Sequence, residues 1–289
     1  MKTRYIIYIL SLMLGVGCSE VELPETSPQL VVEGWIETGR GPVVMVTTTV
    51  PVDHKIGSEE DLKKYVVTWG KVTISDGEQE VVLTGMKDDD YFPPYIYTTS
   101  SIRGEAGKTY SLKVEYGGHT ATAVTTIPDA VPLEDIKVRK SRNNEDRFYM
   151  TGVLKDNPDT KDYYKVFIRT NKKDSTYVPS FLGLINDDVL SGDSDEIPIN
   201  NTFRKLEDGG TSTLFSAEDF VFIRFSTLDK ASYDYWNDFD DNTMSRNPLF
   251  PVTSVIRTNI SGGLGHWSGY GASYYKVSIA DSLALDRVW

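Results

Sequence analysis

Among 289 residues there is one cysteine, Cys18, and there are only three histidines. A single thiol excludes an intrachain disulfide and any cysteine-based zinc site. Three imidazoles leave little room for a histidine-rich metal centre or a histidine-based relay. Positive charge is also short: 30 Lys and Arg stand against 42 Asp and Glu, a formal net charge of −12. No basic face is expected, and nucleic acid is therefore not an expected partner. The one long apolar run, residues 5–16, is too short for a comfortable membrane span, which needs about 20 residues. No internal repeat of fixed period is visible. What remains is an ordinary globular balance, with 11% aromatic and 25% charged residues.

Lys2 and Arg4 precede the apolar run, which ends at Gly15-Val16-Gly17-Cys18. A basic start, a short apolar stretch and a small residue before a lone cysteine resemble a bacterial lipoprotein signal. Gly15 stands three places before the cysteine, where leucine is usual, and Leu14 lies one place further back. Residues 1–17 then read as a signal peptide, with cleavage before Cys18 and lipidation of its thiol. Acyl chains contribute about 0.8 kcal/mol per buried methylene, and more than one chain anchors stably. Residues 18–29, with Pro24 and Pro28, read as a flexible tether. Glu20 and Glu22, close behind the cysteine, resemble the export signal that sends Bacteroidetes-type lipoproteins to the outer face of the outer membrane.

The rest of the chain has the periodicity of strands. Tyr110, Leu112, Val114 and Tyr116 alternate with Ser111, Lys113 and Glu115, and Gly117-Gly118 turns this run into another at 119–127. Similar runs begin at Leu30, Val43, Tyr65 and Gln79, and Pro93-Pro94 makes 91–99 an edge strand or part loop. About seven short strands over residues 30–128 match an immunoglobulin-like sandwich. Its usual Cys-Trp-Cys core is absent, and Trp35 or Trp69 is expected to fill that space. Ile127-Pro128 to Pro132 reads as a stiff joint. Residues 133–289 are expected to form a second β-sandwich or barrel-like domain, with a near-continuous apolar strand at 220–225 and one short helix at 230–239, where Tyr233, Trp236 and Phe239 recur at threes. The expected class is all-β.

Chemistry is harder to find. Gly265-His266-Trp267-Ser268-Gly269 has two residues, not one, between the first glycine and the serine, so it fails the nucleophile-elbow pattern. Gly263 and Gly265 lack a third glycine and a surrounding βαβ unit. No catalytic residue is assigned. Asp187, Asp188, Asp193 and Asp195 gather hard oxygen ligands in one segment and are weak calcium candidates. Asp238, Asp240, Asp241 and Asn242 form another such cluster. Neither matches the twelve-residue loop with glycine at six and glutamate at twelve, and a solvated acidic loop is the plainer reading. No other cofactor is expected. Two aromatic groups are candidate ligand or partner surfaces: Tyr91, Phe92 and Tyr95 beside the proline pair, and Trp267, Tyr270, Tyr274 and Tyr275 among glycines read as turn formers. The same rings also suit core filling.

The lipobox with its acids, Leu30-Val-Val-Glu-Gly-Trp-Ile36, Gly107-Lys-Thr-Tyr-Ser-Leu-Lys-Val114, Thr126-Ile-Pro128 and Asn259-Ile-Ser-Gly-Gly-Leu-Gly265 together resemble a family of Bacteroidetes outer-membrane lipoproteins known only as a domain of unknown function. That resemblance implies location and neighbourhood, because its members tend to be encoded beside TonB-dependent transporters of the starch-utilisation type. With no catalytic site visible, the expected role is that of a lipid-anchored cell-surface protein, non-enzymatic, that assists such a transporter by capturing a glycan, peptide or chelate or by docking on it. A structural or adhesive β-module is the alternative, and a glycan or peptide hydrolase a remote one. Replacing the thiol tests the anchor: Cys18→Ser should move the protein from the detergent phase to the aqueous phase in detergent partitioning, and unchanged partitioning would refute lipidation there.

Overall fold

The computed structural model describes residues 28–51, 54–142, 146–155, 157, 159–191, 194–206, 209–244 and 255–285. The expected signal peptide, Cys18 and Asp193 lie outside the described residues. No helix among the described residues is long and apolar enough to cross a membrane.

The fold is all-β and sandwich-like. The first stretch supplies β1 (Leu30–Glu37), β2 (Val43–Thr48), β3 (Lys71–Ser75), β4 (Glu80–Val82), β5 (Thr84–Lys87), β6 (Tyr95–Thr98), β7 (Thr109–Tyr116) and β8 (His119–Thr126). The second supplies β9 (Leu133–Lys140), β10 (Arg147–Leu154), β11 (Tyr163–Thr170), β12 (Val178–Asn186), β13 (Asp195–Ile199), β14 (Arg204–Lys205), β15 (Thr211–Ser212), β16 (Phe215–Ser216), β17 (Phe220–Leu228) and β18 (Leu264–Ser278). Helices are α1 (Glu59–Lys63), α2 (Lys230–Met244) and α3 (Ile279–Leu285). The helix expected at 230–239 thus runs on to Met244.

Both stretches build one eight-stranded sheet, in the order β12-β11-β17-β18-β1-β2-β6-β5. Its seam is the parallel pairing of β1 with β18, which sets Glu33 opposite His266 and Trp35 opposite Ser268. On one face of this sheet, β4-β3-β7-β8 covers a core of Val32, Ile36, Val44, Ile74, Tyr110 and Leu112. The sheet of β13, β10, β16 and β9 covers a second core of Met150, Tyr164, Val166, Ile168, Phe215 and Phe225. Each large side chain removed from water in this way stabilises by about 1.5–3 kcal/mol. The joint expected at 127–132 therefore separates two cores but not two sheets. Strand β18 runs straight through the glycine-rich segment, from Leu264 to Ser278.

The glycines of β18 explain how the layers meet. At odd positions 269 and 271 glycine faces the joint: a Cβ on Gly269 would stand 2.8 Å from the Thr126 carbonyl oxygen, and one on Gly271 would stand 2.4 Å from that of Pro128. Between the glycine pairs Trp267 points the same way and fills the first core, fully buried, its Nε1 donating to the Tyr110 carbonyl at 3.1 Å. The sandwich tryptophan is thus Trp267 and not Trp35 or Trp69; Trp69 is 90% exposed. The joint is stitched down beyond this crossing, where Val131 N–H donates to Thr227 Oγ1 and Leu133 N–H to the Tyr275 hydroxyl. Gly269→Ala should cost about 1–3 kcal/mol by forcing backbone apart, read as a fall in thermal midpoint. Gly57→Ala, whose Cβ would meet nothing nearer than 3.7 Å, should leave the midpoint almost unmoved.

Candidate functional site

Because side chains alternate across a strand, the residues of the long sheet that do not enter the cores emerge on its other face. There β1 presents Glu33, Trp35 and Glu37, β17 presents Arg224, β11 presents Phe167, and β18 presents His266, Ser268 and Tyr270. Helix α2 lies on part of this face. Asp229 caps it by accepting Ser232 N–H at 2.7 Å. Trp236 packs edge-on to Phe167 and donates its Nε1 to the Tyr270 hydroxyl at 3.1 Å. Beneath the helix the fully buried Lys165 donates to Asp240 Oδ2 at 2.8 Å; burial lowers the Lys165 pKa against the pull of that carboxylate.

The helix leaves a cleft of about 850 Å³ uncovered. Trp35, Tyr91, Phe167, Tyr177, Tyr235, Trp236 and Tyr270 give it aromatic walls, Phe92 stands at the mouth, and Thr98 to Ser101 add hydroxyls along one side. The Trp35 and Tyr91 ring centres are 6.1 Å apart. Tyr235 stacks on the His266 imidazole at 4.7 Å. Burial raises the Tyr235 and Tyr270 hydroxyl pKa values, so both stay protonated at neutral pH.

Two charged devices sit in this apolar frame. Arg224 donates from Nη1 to Glu37 Oε2 at 2.8 Å, and both side chains are buried. The guanidinium carbon lies 4.0 Å from the Phe167 ring centre and 5.1 Å from that of Tyr270. Burial works against this charge, yet Glu37 holds the Arg224 pKa above the ordinary arginine value. Its Nε has no hydrogen-bond partner. Glu33 differs: it opens into the cleft and has no hydrogen bond or ion pair with the described residues, and enclosure by the surrounding protein raises its pKa.

His266 is buried, with Nε2 at 3.2 Å from Ser232 Oγ and no partner on Nδ1. Burial pushes its pKa down to about 4. Among the described residues no carboxylate is hydrogen-bonded to the ring.

The sequence candidates divide. Tyr91, Phe92 and Tyr270 meet in the cleft. Tyr274 lines an adjoining pocket of about 460 Å³, with the Arg40 guanidinium over its ring at 4.3 Å; burial and the neighbouring Glu37 raise its pKa. Trp267 is core, Tyr275 packs against the second core, and Tyr95 packs against the first with its hydroxyl donating to the Thr68 carbonyl. Trp267 and Tyr95 leave the proposed surface because they pack into the first core, while Tyr275, packed on the second core, also borders the adjoining pocket. The calcium candidates do not converge. Asp188 is paired with Lys161 at 2.7 Å, Asp187 accepts Asp162 N–H, and Asp195 accepts from Ser191. Among the described residues no three potential ligands gather. Glu33, Glu37 and Arg224 were not singled out in the sequence, and His266 appeared only within a failed nucleophile-elbow pattern; the signal available was the odd-numbered Glu-Trp-Glu of β1, polar residues alternating with a core face.

An all-β protein with two sandwich layers on a common sheet, and a cleft on the sheet's far side, is the class this geometry defines. The chain belongs to the family described as Domain of unknown function (DUF4249), whose model matches residues 19–275. That span contains every cleft residue named above. No curated protein matches the chain.

Acid titration gives a test of the buried imidazole. In the folded chain His266 binds its proton only near pH 4, while unfolded it does so near 6.5. The unfolded state therefore holds more protons between these values, and stability falls as pH drops through that window. His266→Gln should remove up to about 3 kcal/mol of this acid loss, read as a flatter dependence of the denaturation midpoint on pH between 6.5 and 4.

Proposed function

We propose that this chain is a lipid-anchored outer-membrane surface protein of Bacteroidetes type that captures a nutrient for a TonB-dependent transporter, without itself catalysing a reaction. The observation that carries the reading is the aromatic cleft. Its volume lies in the range of small-ligand sites, and it combines apolar walls with a few convergent polar groups. Rings held by a sheet and a packed helix lose little freedom on binding, which favours capture. The His266–Ser232 pair lacks a third member and Ser232 is fully buried, which supports binding over turnover. An acylated Cys18 would hold the cleft close to a transporter in the same membrane and raise its effective concentration there.

A structural or adhesive module is the second reading, favoured by Trp69, which stands almost fully exposed just before β3. The two separate experimentally. Tagged full-length chain drawn from outer membranes should bring a β-barrel transporter with it, and deletion of the gene should slow growth on one nutrient. Trp35→Ala should weaken capture of that nutrient by roughly tenfold, measured by tryptophan quenching. No co-purifying barrel together with unimpaired growth on every nutrient and lost surface attachment would establish the adhesive reading instead.

A further inference from the structure

The charges of the cleft are laid out in order along β1. Glu33 stands at one end with its side chain exposed, opposite His266 on the neighbouring strand. Trp35 follows on the same face. Glu37 comes next but is already engaged, by Arg224 at 2.8 Å and by Arg40 Nε at 3.5 Å. Beyond it the Arg40 side chain, 55% exposed, marks the passage into the adjoining pocket. That pocket gathers Arg169 and Lys276, which make no ion pair with the described residues, against Asp88 and Asp90. A chain of net charge −12 thus places an unpaired carboxylate at one end of a trough, while at the other Arg40, Arg169, Lys276 and Arg224 outnumber Asp88, Asp90 and Glu37 by one. Glu33 and Glu37 are separated by about 13 Å of strand, and Arg40 lies further along. An extended peptide of four or five residues spans the same length.

Resting on the capture reading, we infer that the ligand is a short peptide with free ends, its ammonium seated on Glu33 and its carboxylate turned toward Arg40 and the cations beyond. The chemistry fits at each place. A carboxylate accepts from an ammonium through charge-assisted hydrogen bonds, and Trp35, two residues along the same strand face, lines the same cleft. The Thr98–Ser101 hydroxyls and Thr176 lie along the trough where peptide N–H and carbonyl groups would need partners. Apolar side chains meet the aromatic walls. A neutral glycan would stack on these rings but leave the Glu33 charge and the cations of the far pocket uncompensated. The lining carries no Asn or Gln, the planar amides that would hold sugar hydroxyls in pairs.

Calorimetric titration of the full chain with an alanine–leucine tetrapeptide decides the matter. The unmodified peptide should bind; N-acetylation should weaken it about tenfold or more, and C-terminal amidation should weaken it less, since Arg40 is already engaged by Glu37. In Glu33→Gln the free and acetylated peptides should bind alike, with an unchanged thermal midpoint showing that the fold is intact. Equal binding of free and acetylated peptide to the natural chain overturns the assignment of Glu33. Maltotetraose binding that Trp35→Ala abolishes, with no peptide binding, overturns the peptide and leaves capture standing. No binding of any of these probes overturns the peptide; loss of the co-purifying transporter as well would remove the capture reading with it.

Discussion

The structure depends on one close approach of backbone to backbone. Residues 126–129 leave the first sandwich and cross β18 at Gly269 and Gly271, where a side chain of even one carbon would collide with carbonyl oxygens. Only this crossing lets β18 lie parallel beside β1 while β8 covers it. From that pairing follows a single sheet eight strands wide, with two cores on one face. The residue between the glycine pairs, Trp267, does the opposite work, filling the space the strands leave. Small and large residues alternate because one side of the strand must serve as both contact and filler.

The cleft is the consequence on the other face. A sheet with its two larger cores on one side leaves the second side to be covered by something else; α2 packs a third, smaller core there around Phe167, Trp236 and Tyr270 and covers only part of it. The buried pair Lys165–Asp240 and the Trp236–Tyr270 hydrogen bond hold that helix in place. Removing one member of a buried ion pair leaves the other uncompensated, typically at a cost of about 3–5 kcal/mol, so Glu37 and Arg224 stiffen the cleft floor as well as charging it. Glu33 has no such partner. The contrast between a satisfied and an unsatisfied carboxylate two rungs apart on one strand is what gives the cleft its polarity.

Binding and catalysis ask different things of such a site. Catalysis needs a nucleophile within reach of a base and a base held by a third group. His266 instead faces a buried serine and carries no orienting acid. The wall rings give the cleft rigid apolar area, and Glu33 is a carboxylate there without a hydrogen-bond or ion-pair partner among the described residues.

Strand character was legible along the chain because alternation is local: Tyr110, Leu112 and Val114 declare a buried face without reference to any partner. So was α2, whose aromatic spacing follows the helix period. The aromatic residues near 91 and 270 were visible as a group, and Tyr91, Phe92 and Tyr270 do share the cleft. Which face each ring would take was not legible, since it rests on the pairing of strands more than two hundred residues apart. Glycines at 269 and 271 read as turns for the same reason: a glycine admitting another backbone looks, in sequence, like a glycine bending its own. The sequence by itself determined strand content, acidity and the placing of a lone thiol after an apolar run. Tertiary structure alone decided that the two halves share a sheet and that Glu33, Arg224 and His266 meet, because hydrophobic pattern specifies that a face is buried but not what buries it.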